Sequence, residues 1–215
     1  MDGTLINSLT FWNVYWKKIG ERFFGTPDFK PEESVDCAVR TKFFREAQAY
    51  IKNFYHLDIS DEELAEFSAQ GVLDFYRTEV TVKEGVFELL EHLKKEGIKL
   101  CIASATEKNM VMFALSHLGL APYFDTVFSC ADIGKSKDVP DIYLLARDAL
   151  GEKESDLCVF EDSFVAIETA RKAGFLTVGI YDENNFNQER LAASSDFYIG
   201  QGRSLAELVD KIHSA

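Results

Sequence analysis

The sequence contains no apolar run that approaches the roughly 20 residues of a membrane-spanning helix. It also lacks a basic segment followed by an apolar stretch and a small-residue cleavage site, which is the pattern of a secretory leader. The four cysteines lie far apart and form no CxxC pair, which argues against a zinc site or a disulfide framework. We therefore expect a cytoplasmic protein with no membrane partner and with buried, reduced thiols.

Positive charge is scarce: the sequence has 23 Lys and Arg residues against 36 Asp and Glu residues, which gives a net charge of -13. Nucleic-acid phosphates favour basic surfaces, so we expect no nucleic-acid partner. An anionic small substrate remains compatible, since a metal ion or a lysine can reverse the sign of the potential in one pocket. The 215 residues can bury a sizeable core, either as one large domain or as a core with a smaller insert.

The hydrophobic pattern divides the chain into two kinds of segment. Residues 9–81 show aromatic and aliphatic residues at helical spacing, interrupted by the loop GTPDFKPEES, and contain no convincing strand. From residue 82 onward, short apolar runs alternate with helices, which is typical of a parallel sheet covered on both faces. The predicted fold is a doubly wound α/β core of residues 1–8 and 82–215, with an all-helical domain inserted at 9–81.

Polar residues stand where the predicted strands end, and in doubly wound sheets ligands bind beyond these carboxyl ends. They are Ser104 after KLCIA, Glu161 and Asp162 at the end of DLCVFED, Lys135 and Lys137 in the loop after DTVFSC, and Asp2 in the first turn. Taken singly, each has a plainer interpretation: a helix N-cap, a solvated lysine, or acids that favour a helix dipole. Taken together, clustered carboxylates suit Mg²⁺, and a lysine and a hydroxyl suit a phosphate. The shared edge therefore indicates phosphoryl transfer.

Four segments also resemble a known family. MDGTL, IASAT, GKSKDVPDIY and VFEDSFVAIETARKAGF are similar, in this order, to the four motifs of haloacid-dehalogenase-superfamily phosphatases and phosphomutases. The resemblance extends over essentially the whole chain. The helical insert looks like the cap domain of the β-phosphoglucomutase and phosphoglycolate-phosphatase-like branch.

The resemblance implies a role for each site residue. Asp2 corresponds to the general acid/base. Ser104 corresponds to the hydroxyl that binds the transferring phosphoryl group, and Lys137, a better match than Lys135, to the lysine that neutralises charge. Asp162 corresponds to the acid that binds Mg²⁺, Glu161 to a neighbouring acid that binds it directly or through water, and the backbone carbonyl of Asp2 to a further ligand. The implied phosphate-binding positions are Thr4, Ser104, Ala105 and Lys137.

The first motif departs from the family pattern. The family nucleophile is the first aspartate of DxDGT, which forms an aspartyl-phosphate, and Met1 occupies the x position. In the family the strand that carries this aspartate lies in the middle of the sheet. Its loss would leave buried backbone groups without partners, at about 1–3 kcal/mol each. We therefore expect the nucleophile just upstream of Met1, in a sequence that is short at its N-terminus; the alternative is a chain that truly starts at Met1.

Three functions follow from these residues and the resemblance. The leading one is a Mg²⁺-dependent phosphatase of a small phosphorylated metabolite, expected to be a monomer. The second is a sugar phosphomutase of the β-phosphoglucomutase kind, which needs cations on the insert; the candidates are Arg40, Lys42 and Arg45. The third is a catalytically inactive relative that binds a phosphorylated ligand or a protein, and it applies if no nucleophile precedes Met1.

Overall fold

The computed structural model describes residues 1–40, 42 and 44–212, and side chains up to residue 209. The chain divides into two compact units: a helical unit, Thr10–Glu79, and an α/β unit made of Met1–Leu9 together with the chain from Val80 onward. Within the described ranges, no helix is both long enough and apolar enough to cross a membrane.

The helical unit is built around aromatic side chains. Its helices are α1 (Phe11–Ile19), continued by a π-helical turn at Gly20–Phe24, then α2 (Glu33–Val39), α3 (Phe44–Tyr55) and α4 (Asp61–Thr78). Helix α4 begins with a capping box in which Ser60 and Glu63 satisfy each other's backbone N–H groups. Tyr15 and Trp16 are buried in the core of the unit, and Tyr15 shares a 2.6 Å hydrogen bond with Ser68. The aromatic spacing seen in the sequence therefore reflects a packed core.

The α/β unit contains the five parallel strands that the apolar runs predict. Its elements are α5 (Val86–Lys95), β1 (Cys101–Ser104), α6 (Lys108–His117), β2 (Thr126–Ser129), the short α7 (Cys130–Ile133), α8 (Asp141–Leu150), β3 (Cys158–Glu161), α9 (Phe164–Lys172), β4 (Leu176–Ile180), α10 (Gln188–Ser194), β5 (Phe197–Ile199) and α11 (Glu207–Ile212). The segment SLAELVDKIHS predicts this last helix over residues 204–214, of which 213 and 214 lie outside the described residues. The predicted α/β fold class is confirmed.

The strands form two separate sheets. Strand β1 pairs in parallel with β2, with Cys101 opposite Thr126 and Ser104 opposite Ser129. Strands β3, β4 and β5 form the second parallel sheet, in that order. The described residues include no strand that joins β1 to β3, and an apolar cavity lies between them.

The expectation of four buried thiols is wrong for three of them. All four cysteines are free, as predicted, but Cys37 and Cys158 are exposed and Cys101 is half-buried; Cys130 alone is buried. Cys158 is the first residue of β3 and lines the cavity, so the open edge of that strand exposes it.

Candidate active site

The first turn of the chain brings its backbone against Asp162. The N–H groups of Thr4 and Leu5 bond to the Met1 carbonyl at 3.2 and 2.8 Å. Gly3 has φ +67°, and a Cβ atom there would lie 2.4 Å from Asp162 Oδ2. Glycine is therefore required twice at this position, for its positive φ and for the close approach.

Asp162 is held by hydrogen-bond donors from both sides. Thr4 Oγ1 donates to Asp162 Oδ1 at 2.9 Å, and Asn185 Nδ2 donates to Oδ2 and to the backbone carbonyl, each at 2.8 Å. The side chain forms no ion pair with any described residue, and only 7% of the residue is exposed. Burial, followed by the charge of Glu161, raises the pKa of Asp162 from 3.8 to about 6.

Asp2 is oriented by two hydroxyl groups. Ser8 Oγ donates to Asp2 Oδ1 at 2.8 Å, and Thr106 Oγ1 donates to Oδ2 at 2.9 Å. The second bond joins residues 104 positions apart and places the turn after β1 beside the first turn. Ser104 is buried at the end of β1, where its Oγ accepts the Thr106 N–H at 3.2 Å, and the neighbouring Ala105 is exposed.

Lys137 is held at the carboxyl end of β3 by its bond to Glu161. Lys137 Nζ donates to Glu161 Oε1, which also accepts a 3.1 Å bond from the Tyr143 hydroxyl. Burial alone would lower the pKa of Lys137, but the charge of Glu161 and the hydrogen bond to it outweigh burial and raise it. Lys135 instead pairs with Asp141 at the exposed surface. The structure therefore places Lys137, and not Lys135, beside the acidic pair.

The three acids predicted to hold Mg²⁺ do not gather into one carboxylate cluster. Among the described residues, no group of three or more His, Cys, Asp or Glu side chains is arranged to bind a metal ion. Glu161, the last residue of β3, bonds to Lys137, whereas Asp162, which follows the strand, bonds to Thr4. Asp2 is engaged by the two hydroxyls. Of the three acids, Asp162 alone is a buried carboxylate bonded only to neutral groups in the described structure.

Two orienting residues had no signal in the sequence. Ser8 and Asn185 each contact an expected site residue but belong to none of the four motifs. Thr106 is the last residue of the second motif, IASAT, but had no predicted role. Asn185 is fixed in turn, because its Oδ1 accepts the Phe186 N–H at 2.8 Å, which leaves Nδ2 to face the Asp162 carboxylate.

Comparison with known proteins identifies the family of the chain. The family model described as haloacid dehalogenase-like hydrolase matches residues 1–174. The chain belongs to this family. This match confirms the predicted family and the predicted enzyme class.

Named relatives of this hydrolase include phosphatases. It is 30% identical over 181 residues to validoxylamine A 7'-phosphate phosphatase of Streptomyces hygroscopicus subsp. limoneus, covering 84% of this chain and 82% of that protein. It is 37% identical over 90 residues to a phosphorylated carbohydrates phosphatase of Thermotoga maritima, covering 42% of each. The crystal structure of β-phosphoglucomutase from Clostridium difficile matches with a TM-score of 0.73 and 19% identity, over 99% of this chain and 92% of that one. This last likeness shows the fold.

In this hydrolase, Asp162→Asn is expected to change how stability depends on pH. The pKa of Asp162 is about 6 in the folded protein against an ordinary 3.8, so between these values the folded state keeps a proton that the unfolded state releases. The stability of the wild type therefore falls by about 2–3 kcal/mol as the pH rises from about 4 to about 6. The free energy of unfolding of the variant should not fall over this pH range. Urea denaturation in the presence of EDTA, repeated from about pH 4 to about pH 6, measures the free energy of unfolding of both proteins.

Asp132→Asn is the matched control, because Asp132 is an exposed carboxylate in the same unit. Its unfolding free energy should follow the wild type at every pH. If the curve of Asp162→Asn also ran parallel to the wild type, the raised pKa of Asp162 would be contradicted.

Proposed function

We propose that the chain is a Mg²⁺-dependent phosphatase of a small phosphorylated metabolite. The observation that carries the proposal is the convergence of distant segments on one edge of the strands. The bond from Thr4 to Asp162 spans 158 positions, and the bond from Thr106 to Asp2 spans 104. Helix N-caps or solvated charges would not require such contacts, whereas a phosphoryl-transfer site does.

Asp2 is proposed as the general acid/base. Its carboxylate accepts two hydroxyl hydrogen bonds, from Ser8 and Thr106, which orient its oxygens. A carboxylate held in this way can give a proton to a leaving oxygen and then take one from water.

Lys137, Ser104, Thr4 and Ala105 are proposed to bind the phosphate. Lys137 keeps its positive charge because Glu161 compensates for its burial. A buried ammonium group beside a buried carboxylate provides a fixed charge that does not have to reorganise during the reaction. Ser104 lies at the end of β1, two residues before the Thr106 that binds Asp2.

Asp162 fits a hard divalent cation. It is a buried carboxylate with neutral hydrogen-bond donors on both oxygens and no ion pair among the described residues, and Mg²⁺ is usually bound by one or two carboxylates with phosphate and water. When bound, Mg²⁺ would neutralise charge on the phosphate. Glu161 is proposed to act through Lys137, since its carboxylate is engaged there.

The nucleophile is proposed to be an aspartate directly before Met1, as the family resemblance implies. Met1 is 7% exposed, and its carbonyl is fixed by the N–H groups of Thr4 and Leu5. The backbone is therefore already held in place beside Asp2. An aspartate there would attack phosphorus and give an aspartyl-phosphate, which water then hydrolyses with the help of Asp2.

We also propose that residues 9–81 are an inserted domain equivalent to the cap of this branch. Within the helical unit, Arg40 donates to Asp36 and Asn13, and Lys42 lies over the ring of Tyr50. Because these cations already have partners inside the unit, we favour hydrolysis over the phosphomutase alternative, which needs cations for the second end of its substrate.

The proposal is tested with full-length protein that carries the residues encoded before Met1. A panel of phosphorylated metabolites should yield inorganic phosphate, with EDTA abolishing release and Mg²⁺ restoring it. A coupled assay for glucose 6-phosphate made from β-glucose 1-phosphate separates a mutase from a phosphatase. No release from any member of the panel, in protein shown to be folded, would refute the assignment.

A further inference from the structure

A buried ion pair that the proposed reaction does not use joins Lys83 to Asp182. Lys83 Nζ donates to Asp182 Oδ2 at 2.9 Å and to the Tyr181 carbonyl at 2.7 Å. The side chains of Lys83 and Asp182 are 10% and 4% exposed. Because taking two charges out of water is costly, such a pair is weak evidence for stability. What it provides here is a fixed position for the backbone that follows β4.

Asp182 orders the loop after β4, residues 181–187. Its Oδ1 accepts the Asn184 N–H at 2.9 Å, and its backbone carbonyl accepts the Asn185 N–H at 3.1 Å. The same carbonyl accepts a 2.8 Å bond from Nε2 of Gln188, the first residue of α10. A bond between residues three positions apart closes a β-turn, and the aspartate side chain fixes that turn. The backbone of Asn185 is therefore held relative to Lys83.

Asn185 connects this loop to the carboxylate of Asp162. Its Nδ2 donates to Asp162 Oδ2 and to the Asp162 carbonyl, each at 2.8 Å, so one amide fixes both the side chain and the backbone of that residue. The Asn185 carbonyl accepts a further bond from Gln188 Nε2 at 3.3 Å. The direction of Asp162 Oδ2 therefore depends on a turn that Lys83 anchors.

The backbone of Lys83 is bonded to the segment that holds the other oxygen of Asp162. The Lys83 N–H donates to the Leu5 carbonyl at 2.9 Å. Leu5 directly follows Thr4, whose Oγ1 donates to Asp162 Oδ1 at 2.9 Å. Lys83 is thus bonded through its backbone to the first turn and through its side chain to the loop after β4. These two segments carry the donors for the two oxygens of Asp162.

We propose that Lys83 is a positioning residue that sets the cation affinity of Asp162 by holding its two hydrogen-bond donors in place. Groups that bond to a metal ligand fix its direction, and their loss typically lowers metal affinity about 10–100-fold. The inference rests on the proposed cation role of Asp162, but it concerns binding of the ion and not turnover. Metal binding in the absence of substrate therefore tests it.

The probe is Mn²⁺, which shares the preference of Mg²⁺ for carboxylate, carbonyl and water oxygens. Electron paramagnetic resonance follows the free ion during titration of the full-length protein, and Asp162→Asn identifies the binding that belongs to this carboxylate. Asn185→Ala should raise the Kd of that site about 10–100-fold, and Lys83→Met, one step further away, about three- to tenfold. Asn184→Ala is the matched control, because the Asn184 amide contacts only Asp182, at 3.5 Å; its Kd should stay within about twofold of the wild type.

A second variant separates the lost anchor from an unpaired buried charge. Lys83→Met leaves the Asp182 carboxylate buried without its counter-ion, which destabilises the fold. Lys83→Met combined with Asp182→Asn removes both charges and keeps Oδ1 as the acceptor for the Asn184 N–H. This pair of substitutions should still raise the Kd about three- to tenfold, in protein shown to be folded by circular dichroism. A return to the wild-type Kd would overturn the proposal.

A double-mutant cycle tests whether Lys83 acts through Asn185. Adding Lys83→Met to Asn185→Ala should change the Kd by less than about twofold, because the donor that Lys83 positions is already absent. Fold increases that multiply in the double variant, or a wild-type Kd in Lys83→Met alone, would overturn the proposal.

The wild-type titration distinguishes this inference from the proposed activity. Protein that binds Mn²⁺ with the expected dependence on Lys83 and releases no phosphate would refute the phosphatase and support the inference. Wild-type protein that binds no Mn²⁺ at Asp162 would overturn the inference together with the cation role of that residue.

Discussion

Lys137→Ala is expected to destabilise the protein by about 3–5 kcal/mol, because it leaves the Glu161 carboxylate buried without its counter-ion. The side chains of Lys137 and Glu161 are 16% and 6% exposed, so water cannot readily replace the lost ammonium group. After the substitution, Glu161 Oε1 still accepts the hydrogen bond from the hydroxyl of Tyr143. Urea denaturation at neutral pH, analysed for the free energy of unfolding, measures the loss.

The neighbouring lysine supplies a matched control. Lys135 pairs with Asp141, and these side chains are 54% and 38% exposed, so Lys135→Ala should cost less than about 1 kcal/mol. The double variant Lys137→Met with Glu161→Gln removes both charges of the buried pair and should recover most of the stability lost in Lys137→Ala. Equal losses for the two lysines would show that the pair with Glu161 is not a buried charge pair.

The positions of the site residues were predictable because they depend on local signals. An apolar run of four or more residues that ends at a polar residue marks both a strand and its end. Strand β1 ends at Ser104 and β3 at Glu161, as the sequence indicates. The choice of Lys137 over Lys135 could also be made in advance from the position of Pro140, which is the N-cap of α8.

The contacts between these residues were not predictable, because they join segments that are far apart in the chain. Asn185 lies 23 positions after Asp162, in a loop whose composition resembles many other loops. The adjacency of Glu161 and Asp162 suggested one shared set of ligands, yet the two carboxylates bond to different partners, Glu161 to Lys137 and Asp162 to Thr4. Nor did the apolar runs show that the five strands would form two sheets, since strand pairing is a property of the folded chain and not of any one segment.

Asp2→Asn is expected to lower kcat for phosphate release by about 10²–10⁴ in the full-length protein, which is the usual contribution of a general acid/base. The substitution keeps the size of the side chain and one acceptor oxygen for Ser8 or Thr106, so the fold should survive, as an unchanged free energy of unfolding would show. What the amide cannot do is exchange a proton with the leaving oxygen or with water.

The leaving group distinguishes this role of Asp2 from a structural one. The p-nitrophenolate of p-nitrophenyl phosphate departs without a proton, whereas the alkoxide of glycerol phosphate needs one. Asp2→Asn should therefore slow the first step for glycerol phosphate far more than for p-nitrophenyl phosphate, as single-turnover release of each alcohol would show. Thr106→Val removes one orienting hydroxyl but leaves the carboxylate, so it should slow both substrates by a similar and smaller factor. A loss in Asp2→Asn that was the same for both leaving groups would mean that Asp2 supports the site through its hydrogen bonds and transfers no proton to the leaving oxygen.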